Sequence, residues 1–172
     1  MKRAYKYRLY PNKTQQAMLR QTFDCCRFVY NTTLERKIKA YEADKTTLSK
    51  FDCIKLITGL KEEYEWLRVV PHVCLPQAVY DMDSAYQRFF KTHHGYPKFK
   101  SKHRSKLSCR FPSTHCGVDQ ESSHIKLSKI GLVRYKQDRQ FKGQLRNVTV
   151  SCDGCGRFWV SCLVETGVAE LK

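Results

Sequence analysis

The first segment of the chain alternates between apolar and polar residues. Its apolar side carries Tyr5, Tyr7 and Leu9, and its polar side carries Lys6, Arg8 and Tyr10. This period of two predicts a half-buried β-strand over Ala4 to Tyr10 with a basic outer face. Pro11 ends the strand. Asn12 and Gln15, three residues later, have the pattern of a helix N-terminal capping box.

Three segments with helical periodicity follow this strand. The first is expected to extend to about Ala43, the second to begin at Ser49 with Asp52 as capping partner, and the third to begin near Pro76. Gly95-Tyr96-Pro97 ends the third helix. Apolar stripes at this spacing predict core-facing sides; they are Leu19, Phe23, Cys26, Tyr30 and Leu34 in the first helix, and Leu75, Val79, Met82, Tyr86 and Phe89 in the third.

After Pro97 the pattern changes to short alternating runs. Lys126 to Arg134 and Val148 to Val164 read as antiparallel strands, with turns at Gly131, Gly143 and Asp153-Gly154. The order strand, helices, strands predicts an α+β fold, in which a small antiparallel β-barrel or curled sheet is interrupted by a helical insert. The predicted divisions are 1–11 for the first strand, 12–95 for the helical insert and 96–172 for the rest of the barrel.

The charge of the chain restricts its partners. There are 32 Lys and Arg against 16 Asp and Glu, which gives a formal net charge of +16. Such a chain favours a polyanion, either nucleic acid or an anionic membrane. A membrane fits less well, because the sequence has no apolar run of about 18 residues. The sequence also lacks a secretory leader pattern, so we expect a cytoplasmic protein whose nine cysteines are reduced thiols.

The charge is concentrated between Asp83 and Asp119, where the sequence has no acidic residue. Aromatic residues are interspersed with the basic ones in this window. Cations displace counterions from phosphates and rings stack on bases, so the combination is typical of nucleic-acid binding. The basic residues of the window are Arg88, Lys91, Lys98, Lys100, Lys102, Arg104, Lys106 and Arg110, and the aromatic ones are Tyr86, Phe89, Phe90, Tyr96, Phe99 and Phe111.

The candidate nucleic-acid-binding residues fall into four groups. We expect phosphate contacts from Lys98, Lys100, Lys102, Arg104, Lys106 and Arg110. The first strand extends this positive surface with Lys2, Arg3, Lys6 and Arg8. Tyr96 and Phe99 either stack on a base or support the loop. Arg27 and Asn31 are one helical turn apart and are positioned to reach a base edge or a sugar.

Candidate metal ligands have simpler interpretations. Cys152 and Cys155 have zinc-knuckle spacing, but a structural zinc site needs four ligands, so a hairpin turn is favoured. His93, His94 and His103 lie among cations that oppose a metal ion. We therefore expect no metal site and no catalytic residue in this chain.

Several segments resemble the transposon-encoded TnpB (OrfB-type) transposase-associated proteins. The most specific match is Gly95-Tyr-Pro-Lys-Phe-Lys-Ser101, and the matches occur in the same order over essentially the whole chain. The other matching segments are Tyr5-Lys-Tyr-Arg-Leu-Tyr-Pro-Asn12, Arg27-Phe-Val-Tyr-Asn31, the Ser49 helix with Leu60-Lys61, Phe89-Phe90, Ile125-Lys-Leu-Ser-Lys-Ile-Gly131, Val148-Thr-Val and Trp159-Val-Ser-Cys-Leu-Val-Glu165.

The resemblance implies a wedge-type β-barrel with a helical recognition insert that binds guide RNA and target DNA. It also implies a RuvC-like nuclease domain whose three carboxylates hold Mg²⁺, and no residue of this sequence matches them. Asn12 to Leu34 is read in such families as a helix-turn-helix, whereas its continuous stripe favours one long helix. We expect the segment from Val160, with Leu163, Val164, Val168 and Leu171, to expose a sheet edge where that domain begins.

Three interpretations follow. The first is a nucleic-acid-binding N-terminal part of a TnpB-like RNA-guided endonuclease, without its own catalytic centre. The second is half of a split nuclease, completed in trans by a separately encoded half. The third is a stand-alone DNA-binding regulator.

Overall fold

The computed structural model describes residues 1–167 and divides the chain into two compact units. The sheet unit comprises Met1–Gln21 and the chain from Lys106 onward, and the helical unit comprises Thr22–Ser105. None of the helices within residues 1–167 combines the length and apolar character that crossing a bilayer requires.

The sheet unit contains one seven-stranded sheet in which every neighbouring pair is antiparallel. The spatial order is β2-β6-β7-β1-β5-β4-β3, so the first strand of the chain lies inside the sheet between β7 and β5. The predicted α+β class is confirmed. The strands are β1 (Lys2–Tyr10), β2 (Leu107–Pro112), β3 (Cys116–Asp119), β4 (His124–Leu127), β5 (Gly131–Tyr135), β6 (Gln144–Cys152) and β7 (Phe158–Glu165).

Of the two predicted forms, a small barrel and a curled sheet, the second is found, because the sheet is not closed into a barrel. Within the described residues β2 and β3 are the two edge strands, and no ladder joins them. Only the short 3₁₀ turn Ser113–His115 separates them in sequence, so the ends Pro112 and Cys116 lie at most roughly 14 Å apart. The sheet therefore curls strongly but keeps an open seam. Pro112, which has no N–H to donate, and the 3₁₀ turn direct the chain away from a continuous ladder.

The expectation of an exposed edge at the end of the chain is wrong for the described residues. β7 pairs with β6 on one side and with β1 on the other, so both of its backbone edges are used. Val160 and Val164 are fully buried. Val168 and Leu171, which belong to the same expectation, lie outside the described residues.

The core of the sheet unit lies on one face of this sheet. Tyr7 and Leu9 of β1 are buried, as predicted from the alternation, and pair with the buried Val160 and Phe158 of β7. The Asp153-Gly154 turn between β6 and β7 is confirmed. Together these strands leave their second face for polar residues.

The helical unit contains most of α1 (Lys13–Asp44) together with α2 (Lys50–Glu63) and α3 (Cys74–Thr92). Both predicted capping boxes are present: Asn12 and Gln15 exchange backbone-to-side-chain hydrogen bonds of 3.0 and 2.8 Å, and Ser49 and Asp52 do the same. The predicted stripes are buried, apart from Phe89, which is half-buried. As the stripe indicates, α1 is one continuous helix of 32 residues.

Candidate nucleic-acid interface

One face of the sheet brings together basic residues from distant parts of the sequence. Lys6 of β1 lies opposite Ser161 of β7. Ser161 lies opposite Thr149 of β6, and Thr149 lies opposite Arg110 of β2. Directly opposed residues point to the same side of a sheet, so Lys6 and Arg110 share a face. Three strand spacings place them roughly 14 Å apart.

The same face continues on the other side of β1. Tyr10 pairs with Arg134 of β5, and Lys126 of β4 pairs with Leu132. The acidic residues of the seven described strands, Asp119 and Glu165, lie at strand ends, which leaves the middle of this face positive. We call it the outer sheet face; its basic residues are Lys2, Lys6, Arg8, Arg110, Lys126 and Arg134.

Cations and aromatic rings alternate along the outer sheet face. Lys6 Nζ lies 5.0 Å from the centre of the Trp159 ring, and Arg8 Cζ lies 5.6 Å from it. Arg8 also lies 5.5 Å from the Tyr10 ring, and Arg134 lies 4.9 Å from the same ring. These cation–π contacts hold long side chains in one row. The row offers fixed positive charge beside flat rings, which suits a phosphate backbone and its bases.

The β6–β7 turn fixes the Trp159 ring. Trp159 Nε1 donates a hydrogen bond of 3.0 Å to the Asp153 carboxylate, and Arg157 Nε donates another of 3.0 Å. The Trp159 hydrogen bond, together with backbone N–H groups of Arg157 and Cys155, lowers the pKa of Asp153 to about 2. A single carboxylate therefore holds the turn and the ring that Lys6 and Arg8 contact.

The structure places the first-strand candidates on two faces. Lys2, Lys6 and Arg8 lie on the outer sheet face, whereas Arg3 pairs with the buried Val164 and lies on the opposite side. Arg110 joins the outer sheet face. Lys106, just before β2, is exposed.

In the helical unit, the basic segment 98–104 is attached to α1 by Asn31. Asn31 Oδ1 accepts a hydrogen bond of 2.8 Å from the Lys100 backbone N–H, and Asn31 Nδ2 donates one of 2.9 Å to the Lys100 carbonyl oxygen. Lys100 Nζ lies 4.3 Å from the centre of the Tyr30 ring. The contact that the structure shows for Asn31 is thus with protein backbone, and it positions Lys100.

A closed turn presents the next basic residues. Ser105 donates its backbone N–H to the Ser101 carbonyl oxygen at 3.0 Å, and the Ser101 N–H donates to Ser105 Oγ at 2.8 Å. The tip between them is Lys102-His103-Arg104, and all three are exposed, as is Lys98. The turn therefore displays a compact group of cations.

The two aromatic candidates of this segment differ. The Tyr96 hydroxyl lies 2.7 Å from that of Tyr86, and the Tyr96 ring makes edge contacts with Tyr86 and Phe89. Phe99 is 56% exposed, and within residues 1–167 its ring makes no aromatic or cation–π contact. Phe99 is therefore free to stack on a base.

Arg27 is a half-buried candidate with an acidic partner on its own helix. Arg27 Nη1 lies 3.2 Å from the Asp24 carboxylate, one turn earlier on α1, and the Arg27 side chain is 22% exposed. Its direct contact with nucleic acid stays a prediction.

Sequence reasoning missed three residues of the outer sheet face: Trp159, Lys126 and Arg134. Strand alternation contains part of the signal, because Lys126 and Arg134 alternate with buried residues. Trp159 lies opposite Arg8 only because of the register between β7 and β1, two strands from opposite ends of the chain. Across the described range, no group of three or more His, Cys, Asp or Glu side chains is arranged to hold a metal ion.

Comparison with known proteins places this architecture in a family. A family model described as a helix-turn-helix domain, of the OrfB type, matches residues 1–46. In the structure that match covers β1 and the continuous helix α1. The chain also matches the Salmonella dublin virulence protein VsdF, at 32% identity over 114 residues, or 60% of this chain and 96% of VsdF.

The longest matches decide the family. Over 168 residues the chain is 34% identical to InsQ of Escherichia coli K12, which is named as a candidate RNA-guided DNA endonuclease, and the match covers 96% of this chain. The chain belongs to the TnpB/OrfB family. A Streptomyces pristinaespiralis protein with a similar name is 33% identical over 170 residues. This TnpB/OrfB-type chain spans 41% and 42% of the lengths of those two relatives.

Proposed function

We propose that this TnpB/OrfB-type chain binds guide RNA and target DNA and that it does not cleave DNA by itself. The outer sheet face carries the main phosphate contacts, and the 98–104 segment of the helical unit adds a second group. Mg²⁺ is not a cofactor of these residues in this proposal. Cleavage depends on carboxylates supplied elsewhere, and a separately encoded nuclease half is one source of them.

The observation that carries the proposal is the row of Lys6, Trp159, Arg8, Tyr10 and Arg134. Nothing in the core of the sheet unit requires three cations on two neighbouring strands beside two rings, because the opposite face holds the apolar core. Unscreened cations on adjacent strands repel each other. A polyanion relieves that repulsion and releases counterions on binding.

The experiment measures the affinity of the purified chain for a structured RNA and for duplex DNA as salt is varied. About six phosphate contacts give a log–log slope near −5 for a duplex. A triple variant Lys6→Ala, Arg110→Ala, Lys126→Ala is compared with a control of equal charge loss, Arg3→Ala, Lys13→Ala, Lys142→Ala, whose residues are exposed and belong to the same unit.

The proposal expects the outer-face variant to lose at least tenfold more affinity than the control. Its log–log salt slope is expected to be less negative by about two to three. Equal losses in both variants contradict the outer sheet face as the interface. A flat salt response of the unsubstituted chain contradicts nucleic-acid binding altogether. With Mg²⁺, RNA and DNA supplied, reproducible cleavage by a nuclease-free preparation contradicts the second part of the proposal.

A further inference from the structure

A pocket of about 600 Å³ opens in the helical unit between the C-terminal parts of α1 and α3. This volume is in the range of small-molecule sites. Its rings are Tyr41, Tyr86, Phe89, Phe90 and Tyr96, and two carboxylates, Glu42 and Asp83, lie among them. The pocket takes no part in the outer sheet face.

Four rings of this pocket are fixed against one another: Tyr86, Phe89, Phe90 and Tyr96. Tyr86 stacks on Phe90 with centroids 6.3 Å apart and planes inclined by 20°, and Tyr96 meets Tyr86 edge-on at 5.5 Å and 82°. Phe90 is nevertheless 68% exposed and Tyr41 is 52% exposed. Aromatic rings that remain open to solvent mark a surface for a flat apolar ligand.

Two ammonium groups already occupy ring faces in this pocket. Lys37 Nζ lies 4.8 Å from the centre of the Tyr86 ring and donates a hydrogen bond of 2.6 Å to the Leu48 carbonyl oxygen. Lys45 Nζ lies 4.8 Å from the centre of the Tyr41 ring. A cationic ligand would meet both ammonium groups, so the aromatic cage favours a neutral planar one.

The carboxylates define the polar edge of that ligand. Within residues 1–167 neither Glu42 nor Asp83 forms an ion pair or a hydrogen bond, so both remain acceptors only. A ligand that satisfies them must present hydrogen-bond donors, which on the edge of a nucleobase are N–H groups. Guanine is the nucleobase with two adjacent N–H donors, N1–H and N2–H, on its Watson–Crick edge, whereas uracil and thymine place carbonyl oxygens on both sides of one N–H.

We propose that this pocket binds one unpaired guanine of the nucleic acid, with the base stacked on Phe90 or Tyr41 and its Watson–Crick edge on Glu42 or Asp83. The inference rests on the proposed nucleic-acid binding. Lys91 and Lys98, which flank the rim residues Phe90 and Tyr96 in sequence, are exposed and supply charge for the phosphates of the same strand. Unpaired bases are commonly read in this way, by stacking and edge contacts.

The test compares two single-stranded RNA oligomers, a twelve-residue oligouridine and the same oligomer with one central guanine. The unsubstituted chain is expected to bind the guanine oligomer about tenfold more tightly, as one stacked and paired base provides. Phe90→Ala is expected to bring the ratio of the two affinities to about one. The matched control Phe51→Ala removes an equally exposed ring (65%) from α2 and keeps the ratio.

The carboxylates are tested by the double variant Glu42→Gln, Asp83→Asn, with the exposed pair Glu62→Gln, Glu63→Gln as control. If the carboxylates act only through their negative charge, removing them raises the affinity for both oligomers equally and leaves the ratio of the two affinities unchanged. That result overturns the proposed edge contact. The proposal expects the ratio to fall towards one in the pocket variant only. Circular dichroism spectra that match the unsubstituted chain exclude unfolding as the cause.

The two proposals fail in different ways. Equal, salt-dependent binding of both oligomers by the unsubstituted chain overturns the guanine pocket and leaves the proposed function intact. A preference for an oligomer with a central adenine or cytosine overturns the guanine assignment. Binding of neither oligomer, together with no binding of structured RNA or duplex DNA, overturns the proposed function itself.

Discussion

Asn31 in the middle of α1 holds the backbone of Lys100, 69 residues later, through two hydrogen bonds of 2.8 and 2.9 Å. The amide side chain therefore completes, for one residue, the pairing that a neighbouring strand would provide. This contact attaches the basic segment to a rigid helix. It also explains why an amide is needed, since Asn supplies one donor and one acceptor from the same short side chain.

Asn31→Ala is expected to destabilise the chain by about 1–2 kcal/mol, because both Lys100 backbone groups lose a partly buried partner. Asn31→Asp keeps the acceptor and loses the donor, so its loss should be intermediate. Urea unfolding measures both. RNA affinity should fall with Asn31→Ala even under conditions in which the chain remains folded. An unchanged unfolding midpoint would show that the contact contributes nothing.

Replacing Lys98, Lys102 and Arg104 with Ala should weaken RNA binding and leave the fold intact, because all three side chains are exposed. The salt slope should move towards zero by about two to three, near 0.9 per lost phosphate contact. The matched control is Arg36, Lys39 and Lys55 to Ala, also exposed and in the helical unit. Adding Lys100→Ala should further reduce stability, since Lys100 packs on Tyr30. Equal slopes in the two triple variants would place the site elsewhere.

Trp159→Phe is expected to raise the pKa of Asp153 from about 2 towards its ordinary value. The substitution removes the Nε1–H donor, which is the largest contribution to the low pKa of Asp153, and it keeps a ring for Lys6 and Arg8. NMR titration of the Asp153 carboxyl measures the change directly. RNA affinity near neutral pH should change little with Trp159→Phe and fall with Trp159→Ala. A pKa that stays near 2 would assign the effect to Arg157 and the backbone donors instead.

The sheet unit should lose stability in alkali. Burial raises the pKa of Cys162 from 9.0 to about 12, and burial raises the pKa values of Tyr7 and Tyr135 from 10.0 to about 12. The folded chain then keeps protons that the unfolded chain releases. The free energy of unfolding therefore keeps its full value below about pH 9. It falls as the pH rises towards 12, by about 1.4 kcal/mol per pH unit for each such group.

A pair of cysteine variants checks this assignment by urea unfolding at a series of pH values. Cys162→Val should make the loss of stability above about pH 9 shallower without removing it, because burial also raises the pKa of the Cys152 thiol in the same unit. Cys155→Val, which changes an exposed thiol, should leave the pH dependence as it is. A pH dependence that does not respond to Cys162→Val would assign the loss to the tyrosines and the other buried thiols.

The sequence alone predicted the elements whose stabilising interactions are local. Both capping boxes, the apolar stripes of α1 and α3 and the alternation of β1 could be read directly, because caps and periodicity depend on residues two to four positions apart. The same reasoning located the acid-free basic window. It also favoured a single helix over Asn12 to Leu34, since an uninterrupted stripe leaves no position for a turn.

Strand register and side-chain pairing were decided only by the tertiary structure. That Trp159 faces Arg8, that Arg110 shares a face with Lys6, and that Asn31 is occupied by the Lys100 backbone all depend on contacts between distant segments. Arg3 and Lys6 looked equivalent as charges, yet they lie on opposite faces of β1. A one-residue change in register reverses every such assignment, so the sequence determined which residues are cationic and the sheet determined which of them act together.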